Sequence, residues 1–396
     1  MKPRMLALIS FLFLSAAQAT GDVSLGKGFE HFYNLEYDEA IAEFQRDIRE
    51  NQDSAPSHNH LAQAILYRAM FRAGALESEL VSGTNPFLRR PKVEPTPADN
   101  RLFDDAIRRS MEVSQKRLQS NARDTAAMYA LGVAYGLRAN YNFLVRKAWF
   151  DALRDATSGR KLHNKVSELD ASNADARLLQ GVHDYVVGSL PWHIKLLGFL
   201  VGFRGDKDGG IRTLELVGAK GRLNRYDAQI LLCAIYRRER LPGKAIPLLD
   251  SLIERFSRNY LLRFELAQMH SDNGDKARAL AAIQRIEEMR SAGVAGFTRL
   301  PAEKIWYARG TIQFWYGDLD AALDNMRRVT ARAQDLDLNT GTFAWLRLGQ
   351  ICDLKGRRSE AVQAYRHAVR LAPESDAAKQ CRRFLSAPYR RDRQKG

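Results

Sequence analysis

The sequence predicts an all-α fold, a right-handed superhelical solenoid of helix pairs with a lengthened central pair and a plug-like apolar segment. Three observations carry this expectation. A set of small and aromatic residues recurs at fixed spacing, glycines and prolines punctuate the chain at helix-pair intervals, and no run alternates as a strand would. The clearest copy lies between Phe343 and Glu374. There Gly349 on a first helix and Ala361 on a second are small, so the two backbones can approach at their crossing. Trp345, Leu348 and Tyr365 fill the layer around that contact, and Ala368 completes the pattern. Gly356 opens the turn, and Pro373 stops the second helix where it cannot continue.

Trp345, Leu348, Gly349, Ala361, Tyr365, Ala368 and Pro373 together resemble one tetratricopeptide repeat, which implies a binding scaffold. One repeat cannot bury its own apolar face, so others must flank it. Gly310 with Trp306, Gly317, Ala322, Met326 and Val329 forms a second copy. Ala267 with Leu266, Gly274, Ala279, Ile283 and Ile286 forms a third, and Cys233 with Leu232, Tyr236, Ala245, Leu249 and Leu252 a fourth. Near the other end Gly28, Ala40 and Phe44 begin a repeat, and Ala62 with Leu61 and Ile65 starts its successor. A chain of 396 residues with 45% apolar and 27% charged residues has ample material for a core. Length alone suggests roughly two or three domains, but a solenoid grows without splitting into separate cores.

The chain therefore divides by rhythm. Residues 20–81 carry the N-terminal repeat helices, and 82–100 form an exposed loop whose Pro86, Pro91, Pro95 and Pro97 forbid helix, with the partner helix resuming at Arg101. Residues 101–225 hold atypical repeats. A repeat begins at Gly132 with Met128, Leu131 and Tyr135, and both its helices extend by about two turns, through Arg138 to Phe143 and from Ala148 to Asp170. Residues 226–385 form the C-terminal array with a capping helix, and 386–396 a basic tail expected to be solvated.

Ahead of the repeats, Lys2 and Arg4 precede an apolar run from Met5 to Leu14, then Ala17, Gln18 and Ala19. This reads as a signal peptide over 1–19 cleaved after Ala19, so the mature protein is expected to be periplasmic or secreted. Three cysteines fit no metal pattern. Cys233 takes a core position, and Cys352 and Cys381 are either buried free thiols or a bridge. The net charge of +15 is spread over many helices, so nucleic acid is not an expected partner.

From Leu179 to Gly221 the chain carries Gly188, Ser189, Leu190 and Pro191, then Leu196 and Leu197, Gly202 and Phe203, Gly205 and Asp206, and Gly210 with Leu214. This run is similar to one in the eukaryotic family of tetratricopeptide proteins that includes the fungal inclusion body clearance protein and its mammalian relatives, the tetratricopeptide repeat protein 39 family. The resemblance implies a helical-repeat architecture first and an adaptor role second. Within it, Pro191 breaks a helix, and Trp192 to Phe203 forms a short apolar one, too short to cross a bilayer. It either plugs the superhelix or lies in a membrane interface through Trp192, Lys195, Leu196, Phe199 and Phe203. Asp206 should cap the next helix, whose Leu214 and Leu216 face the core.

Chemistry finds little support. Asp206 and Asp208 lack the later ligands of a calcium loop, and His58 and His60 stand two apart on what should be a helix, pointing to different faces. No phosphate cradle, nucleophile elbow or zinc-protease motif occurs, so no catalytic residue, metal or cofactor is expected. Counting from the small eighth position, the concave face should present Gln63, Tyr67, Tyr129, Arg237, Arg238, Phe264, Gln268, Tyr307, Phe314, Trp315 and Gln350. This surface suits an extended peptide or a helix of a partner protein, unless several of these aromatics merely pack between repeats. Asn59 and Gln63 only distantly echo a carboxylate clamp. The expected function is a non-catalytic exported scaffold or adaptor binding an unidentified protein or peptide. The alternative is a peripheral membrane or lipid-associated module using 190–203.

Overall fold

The computed structural model describes residues 26–76, 93–189 and 205–391. The stretches expected as a signal peptide over 1–19, as most of an exposed loop over 82–92, and as an apolar helix with Trp192, Lys195, Leu196, Phe199 and Phe203 lie outside them, as do Arg393 and Lys395. The described residues form eight consecutive helix pairs and a cap: α1 (Lys27–Tyr33) with α2 (Tyr37–Glu50), α3 (Ala55–Arg72) with α4 (Pro97–Ser120), α5 (Thr125–Tyr141) with α6 (Trp149–Leu169), and α7 (Leu178–Gly188) with α8 (Lys207–Lys220). Then follow α9 (Arg225–Arg238) with α10 (Pro242–Arg255), α11 (Tyr260–Asp272) with α12 (Lys276–Ser291), α13 (Ala302–Trp315) with α14 (Leu319–Thr330), α15 (Leu338–Leu354) with α16 (Arg358–Leu371), and the cap α17 (Asp376–Ser386). Each helix packs on the next, as an all-α solenoid requires. Among the described residues no helix is long and apolar enough to cross a membrane.

The packing rule behind the repeats is one bulky side chain set into one gap. An ideal Cβ on Gly28 would come within 2.3 Å of the Phe44 ring, on Gly310 within 2.9 Å of Met326, and on Gly349 within 2.3 Å of the Tyr365 ring. Each filler stands sixteen positions after its glycine. Gly349 thus admits a ring from the second helix rather than a bare backbone crossing, which corrects the sequence expectation. Seven positions after the small residue the chain turns with positive φ, at Gly274 (82°), Gly317 (86°) and Gly356 (72°), and also at Leu35 (66°) and Arg240 (58°), where a side chain bears the strain.

In the third pair the filler of Gly132 is His163, whose ring lies 2.2 Å from the ideal Cβ. That partner comes fifteen positions late, because both helices are longer. The first runs on through a π-turn, Asn142–Arg146, to Lys147 at φ 56°, and the second occupies Trp149–Leu169. Asp155, 1% exposed, holds the extension together. It accepts from Arg138 Nε and Nη2, both at 2.7 Å, and from Asn142 Nδ2 at 3.1 Å.

Three local expectations need correction. Helix α4 starts at Pro97, four residues before Arg101, because the Thr96 side chain accepts the Asp99 amide and a proline suits the first helical turn. Asp206 stands at the N-cap of α8 without a side-chain cap bond; its carboxylate lies 3.5 Å from Arg212 instead. On the same helix Leu214 and Val217 are fully buried while Leu216 is only partly so. As for the thiols, Cys233, Cys352 and Cys381 are all buried and free, so the bridge between the last two is absent.

The superhelix closes on itself. The turn after α1 meets the turn between α10 and α11: the Arg258 amide donates to Asn34 Oδ1 at 3.0 Å, and Asn259 Nδ2 donates to the Tyr33 carbonyl at 2.8 Å. Arg258 Nε and Nη2 grip Glu36 at 2.6 and 3.1 Å, and Arg255 lies 2.8 Å from Glu30. Beneath these polar bonds the Tyr33 ring packs on Phe256 and Tyr226, with centroids 4.9 and 5.6 Å away. A second contact follows at the end of α3, where Phe71 faces Tyr260 and Gly74 lies against Asp337.

Candidate functional site

Closure turns the concave face into a chamber of about 800 Å³, a size typical of ligand sites. Gln63, Tyr67, Arg237, Phe264, Gln268 and Tyr307 line it, six residues brought together from four helices. The other positions read from the sequence lie elsewhere. Tyr129 stacks on His163 at 4.8 Å, and its hydroxyl accepts from Asn224 Nδ2 at 2.8 Å. Arg238 lies over the Tyr185 ring, 5.8 Å from its centroid. Phe314 is fully buried between the guanidinium groups of Arg347 and Arg391, and Gln350 is buried and accepts from Arg347 Nη1 at 2.9 Å. Trp315 remains 52% exposed, with Arg347 4.8 Å from its ring.

The last two repeats owe their filled concave face to the chain that follows α17. The Tyr389 amide donates to Asp353 at 2.8 Å, its ring meets Phe384 and Phe314, and Arg391 donates to the Phe314 carbonyl. Tyr389 and Arg391 therefore fold back as a strap across α13 and α15, where a solvated terminus was expected. Aromatic and cation–π contacts of this kind are worth about 0.5–1 kcal/mol each when partly exposed, enough together to hold a short segment.

Tyr33 and Asp227 are chamber residues that escaped the sequence reading. Tyr33 stands five positions after Gly28, as Tyr67 does after Ala62, so the same count applied to the first repeat finds it. Asp227 stands six positions before Cys233, as Leu261 does before Ala267 and Lys304 before Gly310; all three line the chamber. Its carboxyl opens on the chamber yet lies deep in the molecule. Burial pushes its pKa up to about 6, Asp175 adds to the rise, and the polar ends of Tyr33 and Gln63 oppose it. Two cations on the wall are matched: Arg237 lies 3.1 Å from Glu265, and Lys304 3.0 Å from Asp337. Burial lowers the pKa of His163 to about 4, so the ring is neutral and its Nε2–H donates to the Tyr129 carbonyl at 3.1 Å. Among the described residues no group of three or more His, Cys, Asp or Glu side chains is placed to hold a metal ion.

Residues 344–375 match the tetratricopeptide repeat family. No curated protein matches the chain. Among solved structures the chain is similar to yeast Tom70, at 12% identity and a TM-score of 0.41 over 91% of this chain and 94% of that one. It is also similar to human IFIT1, solved as a dimer with m7Gppp-AAAA, at 12% identity and a TM-score of 0.45 over 92% and 81% of the two chains. YrrB, described as a tetratricopeptide protein with an unusual peptide-binding site, has 15% identity and a TM-score of 0.32 over 69% and 99%. The chain is thus an all-α helical-repeat protein whose segment 344–375 matches the tetratricopeptide repeat.

Proposed function

We propose that the chain is a non-catalytic, exported adaptor that holds a segment of a partner protein in its central chamber. The observation that supports this reading most is the convergence of Tyr67, Phe264 and Tyr307 with Gln63 and Gln268 on one cavity. Aromatic faces supply contact area at low entropic cost, and amides supply hydrogen bonds to a peptide backbone. The similarity of Gly188 to Pro191, and of Gly205 with Asp206, to the inclusion-body-clearance family belongs to this proposal as support for an adaptor role. The leader over 1–19 supports export, and mass spectrometry of the mature protein should find Thr20 at its N-terminus.

A photo-cross-linking amino acid placed at Gln268 tests the site. It should capture a partner from envelope extracts, and Phe264→Ala with Tyr307→Ala should abolish that capture while the helical circular dichroism persists. The same adducts in the double variant would defeat the proposal.

A further inference from the structure

Asp227 has no cation beside it among the described residues; the groups that act on its carboxyl are Tyr33, Gln63 and Asp175. Tyr33 is only 3% exposed, and its hydroxyl, though turned toward Asp227, completes no hydrogen bond. The Tyr33 hydroxyl therefore has unused capacity on the chamber side, and the carboxyl beside it has no charged partner. Around them stand aromatic faces, with the Phe32 ring 5.2 Å from Tyr33 and 5.0 Å from Tyr67. A carboxylate sunk among rings without a counter-ion is costly, and a ligand cation relieves that cost through both the charge and the ring faces.

We propose that the chamber is a receptor for a protonated amine on an apolar body, taken against Asp227 with Phe32, Tyr33 and Tyr67 as its walls. This rests on the chamber being the binding site and goes beyond the adaptor reading in naming what is recognised. Arg237 lies against Glu265 and Lys304 against Asp337, and neither cation is among the groups that act on Asp227. Arg160 also lines the chamber, from α6, and is not among the charges that act on Asp227. It stands ready for a carbonyl or carboxylate oxygen on the same ligand. The ammonium can come from a free alkylamine or from the N-terminus or a lysine of a partner chain.

Isothermal titration of the full mature chain with hexylamine, hexanol and hexanoate at about pH 8, where Asp227 is ionised, separates charge from apolar bulk. Hexylamine should bind at least about tenfold more tightly than hexanol, and Asp227→Asn should erase that preference. Where the Asn variant does not fold, the native chain at about pH 4.5 replaces it, since protonating the acid removes the same charge. A preference for hexanoate, equal binding of amine and alcohol, or an Asn variant that keeps the preference would overturn the proposal. The peptide amide Leu-Phe-Leu-Phe, with its N-terminus free or acetylated, then assigns the source: a gain from the free terminus supports a chain end, and no gain beyond hexylamine supports a free amine. Amine preference lost while cross-linked partners remain sinks this proposal alone. Amine preference without partner capture sinks the adaptor reading alone.

Discussion

Replacing Phe256 by Ala tests whether the superhelix is closed. The ring is fully buried at the end of α10 and faces Tyr226 on its own side and Tyr33 across the junction, both at 4.9 Å. Removing a buried aromatic side chain costs about 3–5 kcal/mol. Of this, the cross-junction share is about 1–2 kcal/mol: one aromatic pair plus the apolar area it shares. The polar bonds of Arg258 and Asn259 remain, so the junction is weakened rather than severed. Local opening of α1 and α2 should become easier by that share, and their amides should exchange about tenfold faster. The assay is hydrogen exchange by mass spectrometry, read on peptides from 27–50. Tyr365→Ala is the control, a fully buried aromatic of the last pair that touches neither junction element. Unchanged exchange over 27–50 in Phe256→Ala, or equal acceleration in the control, would refute the closure argument.

Two further outcomes follow from buried carboxylates. Asp227 holds its proton more strongly folded than unfolded, with a pKa of about 6 against an ordinary 3.8. Its contribution is therefore intact below about pH 4, is lost as pH rises toward 6, and stays lost above. Urea unfolding should find Asp227→Asn equal to the native chain at low pH and more stable by about 1–3 kcal/mol above pH 7, chamber water accounting for the lower bound; a constant difference across this range would contradict it. Asp155→Ala should cost about 2–4 kcal/mol, because Arg138 and Asn142 lose their acceptor in a largely dry site. Thermal unfolding with hydrogen exchange should place the loss over 138–155, and a loss under 0.5 kcal/mol would contradict the role given to that pair.

The small eighth residue made the repeats legible, because its demand is local: one gap and one filler, repeated along the chain. Gly28, Gly310 and Gly349 announce this directly. The lengthened pair was legible for the same reason, since Gly132 marks a start whose filler fails to arrive on time. Closure was not legible. Asn34, Glu36, Arg258 and Asn259 look like ordinary turn residues, and their meeting depends on the accumulated curvature of five repeats, which no short window contains. The groove positions Phe314 and Gln350 fell outside the chamber for a related reason. Phe314 and Gln350 occupy the right register, but a strap from beyond α17 already covers Phe314, and Arg347 of α15 satisfies Gln350. Register identifies a face, whereas occupancy depends on what folds back over it.

The clasp between α1 and the α10–α11 turn also changes how the protein responds to strain. An open helical-repeat array behaves as a spring: each coil yields a little, and the whole stretches in proportion to load. Here the first coil is buttoned to the fifth, so the diameter cannot breathe until the button gives. Under tension the extension should therefore show a stiff rise, then one abrupt step as Arg258 leaves Glu36 and Tyr33 leaves Phe256, and only afterwards the gradual uncoiling of separate repeats.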